Sequence, residues 1–178
     1  IDFKILKYKN WDEVIEKAKA RESDMWGAAT PTPQRLKYML FTKPFIELPA
    51  VIIVRNNTQA SLSLKELKGL KIAVISGYGI HDYLSLNHPE IELDVVADIS
   101  TGLKKVSFGM VDAMIANIAL ATHYIEKDGI SNLRMAGESG YIYKWGFATR
   151  KDWPKLNRIL QKGIDLIDEN EKNEIYRK

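Results

Sequence analysis

"KIAVISGYGIHDYLSLN", Lys71 to Asn87, sets four consecutive apolar residues before a pair of closely spaced glycines and a helix-spaced segment after it. A short apolar run bounded by glycine reads as a strand buried on both faces. Gly77 and Gly79 turn the chain, and "YGIHDYLSLN" continues as a helix that starts at the glycines. Strand, glycine turn and helix in that order form one unit of an α/β fold, and the neighbouring segments repeat the theme. "IELDVVAD" is a strand, "STGLKKVSFGM" a helix and "VDAMIAN" a strand, while "IALATHYIEKDG" is a helix closed by Gly129.

Upstream, "SLKELKGL" reads as a short helix with Ser63 as its cap. The polar stretch "NNTQASLS" separates it from "LPAVIIVRN", a β-branched run that reads as a central strand. At the front, "IDFKILKYK" alternates as a strand. "NWDEVIEKAKARE" then has helical spacing at Trp11, Val14, Ile15 and Ala18, with Asn10 or Asp12 near its cap. "SDMWGAAT" is a short buried strand. Downstream, "NLRMAGE" and "YKWGFATRK" read as two strands. A tail of one or two amphipathic helices starts at Asp152 and Pro154, with Leu156, Ile159, Leu160, Ile164 and Ile167 as its inner stripe. Alternating strands and helices predict largely parallel sheets. "VIIVRNN" and "KWGFATR" flank a self-contained βα block, a layout that suggests one lobe inserted into another.

Composition narrows the function classes. The 178 residues carry a net charge of +3 with both signs interleaved, and no basic run accompanies it, which disfavours nucleic acid. The chain has no cysteine, so thiol catalysis, disulfides and Cys-based zinc sites are excluded; an exported bacterial protein is compatible with that. No apolar stretch is long enough to span a bilayer, and the first residues are not a signal peptide. His81, His88 and His123 are scattered without metal-ligand spacing, and neither a metal nor a cofactor is expected. Ser76, His81 and Asp82 compose a triad on paper only, because no G-x-S-x-G elbow supports it.

The remaining motif is "TPTPQRLKYMLFTKPF", Thr30 to Phe45. Pro31 and Pro33 forbid helix before them and permit one after, so Arg35 is expected in a first helical turn, where a fixed guanidinium suits a carboxylate. The plain alternative is an arginine that packs its stem and leaves its head in water.

These pieces together resemble the type 2 periplasmic binding proteins, the Venus flytrap solute-binding domains of the polar amino-acid group. The signs are "NWDEVIEKAKARESDM", "TPTPQR" followed by "FTKPF", "SLKELKGLKIAVISGYG", "GLKKVSFGMVDAMIAN" and "WGFATRKDWPKLNRILQKGIDLI". The resemblance implies two α/β lobes joined by a two-strand hinge and closing on a ligand: 1–53 with 142–178 as one lobe, 54–141 as the inserted other. It also implies that the family's first strand and first helix are not in this sequence.

By the same resemblance, Arg35 falls on the arginine that clamps the ligand's α-carboxylate, with Thr32, Thr30 and Ala28 on the loop lining that side. Tyr78, Gly79 and Ile80 fall on the turn where a helix N-terminus of the second lobe meets the ligand. Asn117 falls where amino-acid binders carry an aspartate for the ammonium. A neutral amide supplies no charge for an ammonium group, so a small carboxylate and an amino acid held by hydrogen bonds alone are equally open. Trp26 is a second departure, standing where the family has a small or aliphatic residue.

"FTKPF", "VDAMIAN" and "RKDWPKLNRIL" look most like the sensory modules of membrane-bound histidine kinases or cyclic-dinucleotide enzymes. That implies a periplasmic domain tethered beyond Lys178, and possible pairing as a homodimer. The rival expectations are the binding protein of an ATP-driven importer and a dehydratase or lytic-enzyme regulatory domain on the same fold. The dehydratase would need a general acid, for which Glu138 is the nearest candidate.

Overall fold

The computed structural model describes residues 2–58 and 61–176. They contain seven strands and six α-helices, the α/β class the element order predicts. The chain divides into two units: 1–16 with 47–143, and 17–46 with 144–178.

The first unit is built on four strands. β4 (Lys71–Ile75) pairs in parallel with β5 (Glu92–Val96) on one side and with β6 (Ala113–Asn117) on the other. β3 (Ile46–Arg55) runs antiparallel to β6, with Ile52 opposite Ile115. The sheet is therefore mixed and not largely parallel as expected. Parallel neighbours need a helical crossover, which α2 (Gly79–Asn87) and α3 (Ile99–Ser107) supply between β4, β5 and β6. Among the described residues, the connection from β3 to β4 carries a one-turn 3-10 helix, Leu64–Leu67.

On one face Ala73 and Ile75 of β4 and Met114 and Ala116 of β6 pack against Leu103 and Val106 of α3 and Ala121 of α4 (Ile118–Lys127). Burying one such leucine or isoleucine side chain contributes about 1.5–3 kcal/mol. Helix starts are fixed by side chains. Asp98 accepts from the Thr101 N–H at 2.8 Å, and the Ser63 N–H donates to the Glu66 carboxylate at 2.7 Å. Gly129 closes α4 at φ +63°.

α1 (Trp11–Lys19) begins in the first unit, with Asn10 accepting from the Glu13 N–H at 3.0 Å. Residues 2–8 form no strand, and Phe3 and Ile5 are 59% and 84% exposed. Alternation alone does not make a strand without a neighbour to complete its ladder. Ile1, Gln59 and Ala60, which enter the expected front strand and polar separator, lie outside the described residues, as do Arg177 and Lys178 of the tail.

In the second unit, β1 (Met25–Ala29) and β2 (Met39–Phe41) both run antiparallel to the last residues of β7 (Leu133–Arg150). The two strands expected at 132–138 and 143–151 are one continuous strand of 18 residues. Helix α5 (Pro154–Leu166) starts at its proline and buries Leu156, whereas Ile159 stays exposed; α6 (Glu169–Tyr176) follows.

At the start of the tail, the Arg150 fork donates to both oxygens of Asp152 at 3.0 and 2.8 Å and to Asp24 at 3.1 Å. Those hydrogen bonds hold the Asp152 carboxyl below its ordinary value. A depressed carboxyl stabilises the fold above its unfolded pKa, near 3.9, and loses that contribution as pH falls through the lower folded value. Asp152→Asn should therefore flatten the acid limb of a plot of melting temperature against pH, leaving the neutral limb's slope unchanged.

Candidate functional site

Thr30, Thr32 and Arg35 of the second unit are all buried; Arg35 is only 4% exposed. Its Nη1 donates to the Thr30 carbonyl at 2.6 Å, and its guanidinium carbon lies 5.8 Å from the Trp26 ring centroid. The Arg35 N–H donates to the Thr32 hydroxyl at 3.4 Å. The head is not waved in water.

The expected helical turn is 3-10 and not α: Arg35–Lys37 form one such turn, and β2 begins two residues later. So few residues cannot offset the cost of nucleating an α-helix. No helix dipole assists Arg35; its place is set by the Thr30 carbonyl and the Thr32 hydroxyl. Ala28 is exposed, in the stretch of β1 where the register against β7 shifts between Trp26 and Ala29. Such a bulge re-aims the backbone. Trp26, unexplained by the sequence, is buried edge-on to Tyr38 at 6.2 Å and below the Arg35 head.

In the first unit the β4–α2 turn carries Tyr78, Gly79 and Ile80. Tyr78 caps α2 with extended backbone, and Gly79 and Ile80 are buried. The Tyr78 N–H donates to the Ile75 carbonyl at 3.2 Å. Gly77 holds φ +65°, and its N–H donates to His81 Nδ1 at 3.2 Å. A Cβ there would stand 3.0–3.1 Å from Ile15, Asp12 and Trp11. Gly77→Ala should cost about 1–2 kcal/mol from the left-handed backbone alone, read as a lower urea midpoint.

Ser76 donates to Asp12 at 3.0 Å, not to His81, so the paper triad does not assemble. Sequence reasoning missed Asp12 and His81 as supports of this turn; no local signal links residues 12 and 76. Glu138 is exposed on β7, where it lines a shallow depression with Glu47 and Tyr141. Among the described residues no cluster of three or more His, Asp or Glu side chains could hold a metal ion, and no helix is long and apolar enough to cross a membrane.

Asn117, only 1% exposed, ends β6 and caps α4: its Oδ1 accepts from the Leu120 N–H at 3.1 Å. Among the described residues, its Nδ2, like the Thr30 hydroxyl, is buried without a hydrogen-bond partner. Buried polar atoms are rarely left so. Thr149 Oγ1 and Asn157 Nδ2 share that condition in the second unit.

A mixed α/β chain of this element order is a periplasmic-binding-protein-like domain. It belongs to the bacterial extracellular solute-binding proteins, family 3, whose sequence profile matches residues 1–178. The virulence sensor protein BvgS of Bordetella pertussis is 24% identical over 172 residues, covering 96% of this chain and 14% of BvgS. The ABC transporter arginine-binding protein 1 of Escherichia coli K12 is 23% identical over 161 residues, covering 88% of this chain and 65% of that protein. Among solved structures, the periplasmic VFT2 domain of B. pertussis BvgS superposes with a TM-score of 0.86 at 24% identity, covering 98% of this chain and 75% of that one. The chain thus spans about one-seventh of the sensor's length, a solute-binding domain's share of a much larger protein.

Proposed function

We propose that the chain is a periplasmic solute-binding domain that takes a small carboxylate or amino-acid-like solute, and that it is the sensor module of a transmembrane signalling protein. Arg35 is the carboxylate clamp, with Thr32, Thr30 and Ala28 beside it. Tyr78, Gly79, Ile80 and Asn117 serve the same solute. The domains are proposed as 1–53 with 142–178, and 54–141. The observation that carries the reading is that Thr30 Oγ1 and Asn117 Nδ2, at two of the eight positions the sequence singles out, are each buried with no hydrogen-bond partner among the described residues. Each atom is a place for a polar group of a solute: the Asn117 amide donates, and the Thr30 hydroxyl donates or accepts.

Binding acts by population shift: a solute moves a conformational equilibrium only by its differential affinity for the two states. The domain itself performs no chemistry in this reading, and pairing with a second copy belongs to the full receptor. The sensor assignment draws on the likeness to BvgS, a sensor protein. The arginine-binding relative supports a second reading, delivery of solute to an importer. The sequence beyond Lys178 separates them: a hydrophobic span followed by kinase-type sequence supports sensing, and a chain ending there supports transport.

A thermal-shift screen across amino acids and small carboxylates tests the binding itself. A solute present at about 100 times its Kd adds about 2.7 kcal/mol. In a domain of this size that raises the melting temperature by about 5–10 °C. No shift with any carboxylate or amino acid would remove the reading.

A further inference from the structure

Asp12 stands in the first turn of α1, where an acid ordinarily serves the helix's own N–H groups. That task is already filled. Asn10 accepts from the Glu13 N–H at 3.0 Å, and the Glu13 carboxylate accepts from the Lys9 N–H at 2.8 Å. The Asp12 carboxylate turns instead to the Ser76 hydroxyl at 3.0 Å. Beside it the Trp11 and Tyr78 rings meet in a T-shaped pair, centroids 6.0 Å apart, and Ile15 closes the space over Gly77. The start of α1 is thereby clasped to the turn that begins α2, with the Asp12 carboxylate beside Ser76 and Gly77 of that turn. Asp82, in the first turn of α2, is a second carboxylate on the same turn. Among the described residues no cation is paired with Asp12.

We propose that Asp12 is a positioning and charge-selecting residue for the β4–α2 turn. It holds the turn through Ser76, and its charge disfavours a second anionic group on the solute. The site would then take monocarboxylates with a neutral or cationic remainder in preference to dicarboxylates. The inference rests on the solute-binding reading for its charge preference and on geometry alone for the clasp.

L-glutamine and L-glutamate, nearly identical in shape and different by one charge, are the probes. Calorimetric titration of the chain at pH 7 should give glutamine at least about tenfold tighter binding, the size of one like-charge repulsion at partly screened distance. In Asp12→Asn, which keeps the side chain's shape, that ratio should fall below about threefold. Ser76→Ala, which keeps the charge and frees the turn, should weaken both probes while preserving the preference for glutamine. An unchanged ratio in Asp12→Asn, or a wild-type preference for glutamate, would overturn the charge selection.

Urea denaturation without solute tests the clasp separately. The losses in Asp12→Ala and Ser76→Ala should combine to less than their sum in the double variant, because either change alone breaks the same bond. Strict additivity would overturn the clasp. If neither probe binds, the solute reading fails for this amino-acid pair and the charge preference fails with it. The double-variant result then decides the clasp by itself.

Discussion

Arg35→Ala should lower the affinity for any carboxylate solute by at least about a hundredfold, the largest binding effect of any single change at the candidate site. A guanidinium gripping a carboxylate forms two charge-assisted hydrogen bonds, each worth about 1.5–3 kcal/mol. Arg35→Lys keeps the charge and loses the planar fork, so about a tenfold loss is expected there. The order Ala below Lys below Arg is the signature of a clamp. A side chain that only supports the fold gives a different pattern, because the Thr30 carbonyl, 2.6 Å from Nη1, also loses its partner. That loss should lower stability by about 1–3 kcal/mol and is read separately from the melting temperature. Calorimetry on folded Arg35→Ala, with the best solute of the thermal-shift screen, decides. Unchanged affinity removes Arg35 from the site.

The parts of the fold legible in the sequence are those whose signals are local. β4, the glycine turn and α2 follow within seventeen residues, and Asn10 and Gly129 mark helix ends through bonds or backbone angles spanning a few residues. Thr30, Thr32 and Arg35 fall in one hexapeptide, so their shared burial follows once any of them is placed. The illegible parts are set by neighbours distant in sequence.

Residues 2–8 carry a strand's alternation yet form no ladder, and β2 reads only as an apolar run because its pairing with residues 148–150 is invisible locally. Two expected strands fuse into β7 because pairing, not composition, decides where a strand stops. Gly140 lies inside it at φ +76°, and a glycine there reads as punctuation when it is not. The Asp12–Ser76 bond spans 64 residues and leaves no trace in either segment.

Gly137→Ala should be among the most destabilising single-methyl additions in the chain. Gly137 lies in β7 beside Leu62. There the Leu62 N–H donates to the Ala136 carbonyl at 3.0 Å, and the Arg134 Nε donates to the Thr58 carbonyl at 3.0 Å. A Cβ on Gly137 would collide with the Leu62 carbonyl oxygen, a backbone atom that cannot rotate aside as a side chain would. Either β7 or the Leu62 segment has to move, and the Leu62–Ala136 hydrogen bond is the first to break. Overpacking of this kind costs about 1–3 kcal/mol, or about 3–10 °C in melting temperature at this chain length.

Two other glycines serve as controls. Gly27 has open space at its Cβ position and no left-handed backbone, so Gly27→Ala should be neutral or slightly stabilising. Gly140 has the same open space but φ +76°, so Gly140→Ala should lose only the backbone term of about 1–2 kcal/mol. If Gly137→Ala melts like Gly27→Ala, the close approach of Leu62 to β7 is not what holds this edge of the strand.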